Sequence, residues 1–127
     1  MFVVKPIADK AEQRRCCEAC GVPFIESALA YRIDRDGGFA GICQFSLENG
    51  YGMIHHLRSL PTINDYEMMF IAGRAAMNFI DLCELHLCRA EADAAEERLL
   101  LGIGFKRAES GLWEADMHGM FGGCGNH

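Results

Sequence analysis

The chain has 127 residues, half of them hydrophobic, and a formal net charge of −6 at pH 7. That is the size of one ordinary domain, with enough apolar side chains to close a core without cross-links. The acidic balance speaks against nucleic-acid backbone binding, and no apolar run approaches the roughly 20 residues that span a bilayer.

In chain order, Phe2-Val3-Val4-Lys5 is β-prone and stops at Pro6. Asp9 is placed to cap a helix running to about Cys20, where Gly21 ends it. Ala28 to Ile33 reads as a strand, Asp34 to Gly38 as a tight turn, and Phe39 to Leu47 as the next strand. Strict alternation would put Phe39, Gly41, Cys43, Phe45 and Leu47 on one face, and Ala40, Ile42, Gln44 and Ser46 on the other. Glu48-Asn49-Gly50 turns the chain into a third strand, Tyr51 to about Leu60, closed by Pro61. Asn64 or Asp65 then caps a helix that reaches Leu82. A strand from Leu85 to Glu91, a helix from Ala94 to Leu101 and a hairpin over residues 105–117 follow. Residues 1–118 read as one domain, and 119–127 as a Gly-rich tail.

The cysteines are Cys16, Cys17, Cys20, Cys43, Cys83, Cys88 and Cys124. The odd count, and opening residues without a signal-peptide pattern, predict reduced thiols in a cytoplasmic protein. Cys43, Cys83 and Cys88 lie in apolar runs and read as small buried hydrophobes. Cys16 and Cys20 are one helical turn apart, and Cys124 and His127 form a Cys-x-x-His in the tail. These four are candidate ligands of a tetrahedral structural zinc. The alternative is a scatter of reduced thiols beside a frayed terminus.

Strand, helix, three-strand meander, helix, strand, helix and closing strands form an order that resembles the GNAT acetyltransferase superfamily. His56-Leu57-Arg58-Ser59-Leu60-Pro61 is similar to the end of that family's fourth strand, before the cofactor loop. Arg98 to Lys106, with Gly104-Phe105, is similar to the end of its last main helix. The resemblance implies an α/β fold (α+β): a mixed, mostly antiparallel central sheet with helices on both faces. It implies transfer of an acyl group from acetyl-CoA to a small amine, with Leu60, Asn64, Asp65, Glu67 and Met69 at the cofactor loop.

That loop in the family has the pattern Arg/Gln-x-x-Gly-x-Gly/Ala, whose small residues let backbone N–H groups reach a pyrophosphate. Here its positions are Asn64, Glu67 and Met69. The family's general-acid Tyr corresponds to Leu100, and a frequent Asn to Asp93. A second reading follows from these departures: a non-catalytic domain of the same fold that binds a small ligand or another protein.

His55 and His56 are the candidate general bases, because an imidazole near neutral pKa on this strand could take a proton from an amine. Alternation would send one of them to the cleft side. Glu91 and Asp93 end the following strand, where ligands often bind or where acids simply precede a helix. The helix from Asp65 to Leu82 has one polar stripe, Glu67, Arg74, Asn78 and Asp81. Its remaining apolar surface exceeds what one sheet face covers, which predicts a homodimer or cover by Met120 and Phe121 of the tail.

Overall fold

The computed structural model of the protein describes residues 1–121. The chain runs through β1 (Phe2–Pro6), α1 (Lys10–Cys20), β2 (Leu29–Arg35), β3 (Gly38–Leu47), β4 (Gly52–Ser59), α2 (Tyr66–Leu82), β5 (Leu87–Ala90), α3 (Glu97–Ile103), β6 (Lys106–Arg107) and β7 (Trp113–Asp116). The seven strands form one sheet in the order β1-β2-β3-β4-β5-β7-β6. Among the described residues β4 and β5 are the parallel pair, and the other paired strands run antiparallel. Among the described residues no helix is long and apolar enough to cross a membrane.

Local chemistry sets the element ends. The Asp9 carboxylate accepts from the Ala11 N–H at 3.1 Å and starts α1; Gly21, at φ 75°, ends it in the left-handed region. Asp36 and Gly37 take φ 52° and 89°, giving a two-residue turn between Arg35 and Gly38. Asp65 starts α2, its Oδ1 accepting from the Met68 N–H at 3.1 Å. The expected helix from Ala94 begins three residues later, at Glu97, because residues 91–95 form a turn bonded to β4.

Two bulges break the alternation read from the sequence. Ile33 pairs with Gly41 and Asp34 with Phe39, so Ala40 is an extra residue on β3. Phe39 is thereby turned from the face of Cys43 and Phe45 to the opposite one, with the Arg32 guanidinium 5.1 Å from its ring. On β4, Gln44 pairs with His56 and Phe45 with Ile54, so His55 is the extra residue.

α2 and α3 cover one face of the sheet. The larger core lies there, built around Phe45, Ile54, Leu57, Met77, Ile80 and Ile103. α1 covers part of the other face over a smaller core of Ile7, Cys16, Cys17, Cys20, Val22, Ala30 and Ile42. On α2, Met68, Met69, Ala72, Gly73, Ala76, Met77 and Ile80 are buried. Its flank away from the sheet meets α3: Arg74 donates to the Ile103 carbonyl at 2.7 Å and lies over the rings of Phe70 and Phe121. Met120 and Phe121 also pack on the larger core, so part of the helix's apolar surface is covered within the chain. Cys43 and Cys88 are buried as expected, whereas Cys83, the C-cap of α2, is exposed.

Candidate functional site

The parallel ladder between β4 and β5 is short. It joins Gly52–Ile54 to Cys88–Ala90 and ends where the Glu91 N–H donates to the Ile54 carbonyl at 3.0 Å. The bulge at His55 follows at once, and the strands part. The turn after β5 bends back across the opening. The Leu57 N–H donates to the Ala94 carbonyl at 2.8 Å, and Arg58 donates to the carbonyls of Asp93 and Ala94.

Beyond the parting lies a cleft of about 650 Å³. Its walls come from the end of β4 (Arg58, Ser59), the loop from Leu60 to Asp65, the first turns of α2 (Tyr66, Met69) and the start of α3 (Arg98, Leu99). Leu60, Asn64, Asp65 and Met69 thus line it as the sequence suggests, while Glu67 is exposed in the first turn of α2 outside the lining. Arg58, Arg98 and Tyr66 were not singled out from sequence. Arg98 lies 4.2 Å from the Tyr66 ring, a stacking that only the meeting of α2 and α3 creates.

Several solved structures share this fold. The ribosomal-protein-S18-alanine N-acetyltransferase of Escherichia coli superposes with a TM-score of 0.71 at 11% identity, over 92% of this chain and 94% of that one. A GNAT-family acetyltransferase from Brucella melitensis, solved with acetyl-CoA, gives 0.69 at 16% identity over 91% and 88%. The PaiA N-acetyltransferase of Thermoplasma acidophilum, solved with coenzyme A, gives 0.66 at 9% over 91% and 99%. The protein has the GNAT fold. No family model matches its sequence, and comparison with curated proteins finds no match.

A cofactor pyrophosphate at the α2 N-terminus, where the resemblance would put it, needs free backbone N–H groups and the positive end of the helix dipole. Here Asp65 occupies that position with its own carboxylate. The Met68 N–H, and to a lesser extent Arg35 at 3.1 Å, hold Asp65 below the usual carboxylate range. Glu67 adds a second negative charge in the same turn. Met69 is buried with its sulfur against the backbone at Gly41, so a side chain fills space that a small residue would leave to a ligand. These residues do not fit a pyrophosphate. Leu100, which the resemblance sets against a general-acid Tyr, is fully buried.

The two histidines do not take opposite faces, as alternation predicts. The bulge turns both toward the side of Gln44 and Ser46. His56 Nδ1 lies 2.9 Å from Gln44 Nε2, and His55 Nε2 lies 2.9 Å from Ser46 Oγ. Neither residue lines the cleft. Ser46 donates to Glu48 at 2.6 Å and therefore accepts from His55, whose other nitrogen faces Glu91 at 3.4 Å. Asp93 is exposed, its carbonyl taken by Arg58.

Gln44 is fully buried and fully bonded. Its Oε1 accepts from Gln13 Nε2 and the Ile25 N–H, and its amide nitrogen donates to the Pro23 carbonyl at 2.8 Å as well as to His56. A polar residue at a core-facing strand position, between Ile42 and Ser46, is the sequence signal that marks it.

Of the proposed zinc ligands, Cys124 and His127 lie outside the described residues. Cys16 and Cys20 are both buried, and border different hollows: Cys16 a shallow one with Arg15 and Phe39, Cys20 the main cleft. Burial raises both thiols, Cys20 to about 12. Among the described residues no three His, Cys, Asp or Glu side chains already surround a common point.

Proposed function

We propose that the protein is a non-catalytic GNAT-fold domain that uses the cleft between β4, α2 and α3 to bind a small ligand other than coenzyme A. The Asp65 carboxylate on the Met68 N–H carries this reading. A helix terminus already capped by a fixed negative charge repels a pyrophosphate instead of cradling it. The Leu57 N–H, a strand donor that could have held an oxyanion, is taken by Ala94. What the cleft offers is mixed charge, the guanidinium groups of Arg58 and Arg98 and the Tyr66 ring beside the carboxylates of Asp65 and Glu96, a set that suits a compact ligand carrying both donors and acceptors. Calorimetric titration of the full chain with acetyl-CoA and with coenzyme A tests the reading. It expects no heat change at millimolar cofactor; micromolar binding would overturn it.

A second reading, acetyl-CoA-dependent transfer to a small amine, is favoured by the parted β4 and β5 strands. In that reading His55 is the general base, since Glu91 stands on its Nδ1 side and could hold the resulting charge. An acetylation assay over a panel of amines separates the two: turnover abolished by His55→Ala would establish the enzyme.

A further inference from the structure

We propose that the cleft between β4, α2 and α3 binds a free α-amino acid with an apolar side chain, an inference that rests on the reading of this cleft as a site for a small ligand other than coenzyme A. The observation behind it is a pair of opposite charges left apart. Glu96 and Arg98 are near neighbours in sequence, and both line the cleft. Neither forms an ion pair with the other, or with any other side chain among the described residues. Glu97, between them, does pair, with Arg107 at 3.9 Å.

An aromatic ring holds Arg98. Its guanidinium carbon lies 4.2 Å from the centroid of Tyr66. Tyr66 has its place because residue 102 is glycine: a Cβ there would lie 1.8 Å from the Tyr66 hydroxyl. A guanidinium stacked on a ring keeps its N–H edge for a planar acceptor, and a carboxylate is the acceptor its fork fits. Arg58 adds a second donor. Its Nε and Nη2 are engaged by the Ala94 and Asp93 carbonyls, which leaves Nη1. The acid that remains open is Glu96. Asp65 has both oxygens engaged, by the Met68 N–H and by Arg35, whereas Glu96 accepts from nothing among the described residues. An ammonium, with three donors, suits it. The same walls carry Ile63, Met69 and Leu99, which suit an apolar side chain. A polyanion would meet Asp65 and Glu96 in repulsion, while an amino acid carries its own balancing charge. At about 650 Å³ the cleft has the size of a small-molecule site.

The competing account is that Glu96 and Arg98 are ordinary solvated charges. Calorimetric titration of the full chain with leucine, methionine and phenylalanine, each beside its N-acetyl and methyl-ester forms, decides between them. Coenzyme A is titrated alongside. The expected result is binding of at least one free amino acid, weakened about tenfold or more when either charge is blocked. Glu96→Gln should level the free amino acid with its N-acetyl form, and Arg98→Gln should level it with its methyl ester. Both side chains are exposed, and a variant harmed in its fold would weaken all three forms alike, so the ratios report charge recognition. No binding of any of the three amino acids, blocked forms that bind the parent chain as well as the free one, or ratios unmoved in either variant would each overturn the proposal. Micromolar binding of coenzyme A would instead overturn the reading beneath it. Silence from coenzyme A and the amino acids alike would overturn this inference alone.

Discussion

Gln44 donates to His56 Nδ1 at 2.9 Å, and the direction of that bond is settled elsewhere. The Ile25 N–H can only donate, and it reaches Gln44 Oε1 at 3.0 Å, so the amide nitrogen must face the imidazole. Nδ1 is then an acceptor, and a proton placed on it would oppose the amide hydrogens.

His56 should therefore resist protonation. Burial lowers its pKa first, and His55 and Arg58 add to that, against opposing pulls from Asp93 and Glu91. The unfolded chain, with a histidine near 6.5, binds this proton more readily than the folded one. Stability from this residue is complete above about 6.5 and falls as pH drops through that value toward the folded pKa. His56→Gln keeps an acceptor for Gln44 and removes the titration. Melting curves between pH 7.5 and 5 should show a shallower decline for the variant, and parallel curves would rule the mechanism out.

Asp65 serves α2 as a cap, and its charge is separable from that role. Asp65→Ala should lose about 1 kcal/mol, roughly 3–5 °C in Tm for a domain of this size. Asp65→Asn should stay near the parent value, because Asn caps as well as Asp. If both variants melt alike, the hydrogen bond to Met68 contributes nothing to stability.

Gly52 opens β4 directly beneath α2. A Cβ there would strike the side chain of Ile80, which is fully buried and has nowhere to retreat. Gly52→Ala should cost about 1–3 kcal/mol by overpacking. A pair of variants checks the cause: Gly52→Ala with Ile80→Val should recover part of the loss, and strict additivity would refute the clash.

The outer flank of α2 relies on α3, Met120 and Phe121. A chain cut after His118 should bare apolar surface around Phe70 and Arg74, melt earlier, and self-associate where the full chain sediments as a monomer. A dimer in both forms would instead point to a second subunit over the helix.

Much of the architecture could be read from end signals. Asp9, Gly21, the Asp36-Gly37 turn and Asp65 each act through one or two bonds among near neighbours, so local sequence is enough. Bulges are different. Nothing in Gly38–Leu47 or Gly52–Ser59 announces that Ala40 and His55 are extra residues, because a bulge is a property of two strands in register. That is why strict alternation puts Phe39 on the wrong face and predicts opposite faces for two histidines that share one. The cleft's loop residues were legible through the resemblance. Arg58, Arg98 and Tyr66 were not, since their roles depend on which turn crosses the parted strands and where α3 lands.

The depth of the thiols makes the protein its own reporter of opening. Cys17 lies in α1, Cys43 in β3 and Cys88 in β5; all three are fully buried, while Cys83 is exposed at the end of α2. A thiol-reactive reagent would modify Cys83 at once and reach the others only when their layer loosens. Burial pushes Cys17 up to about 11 and Cys88 to about 12, so neither reacts in place at neutral pH. Site-resolved labelling rates would then give an opening free energy for each layer. They would tell whether α1, resting on its small core, detaches while the sheet beneath stays closed.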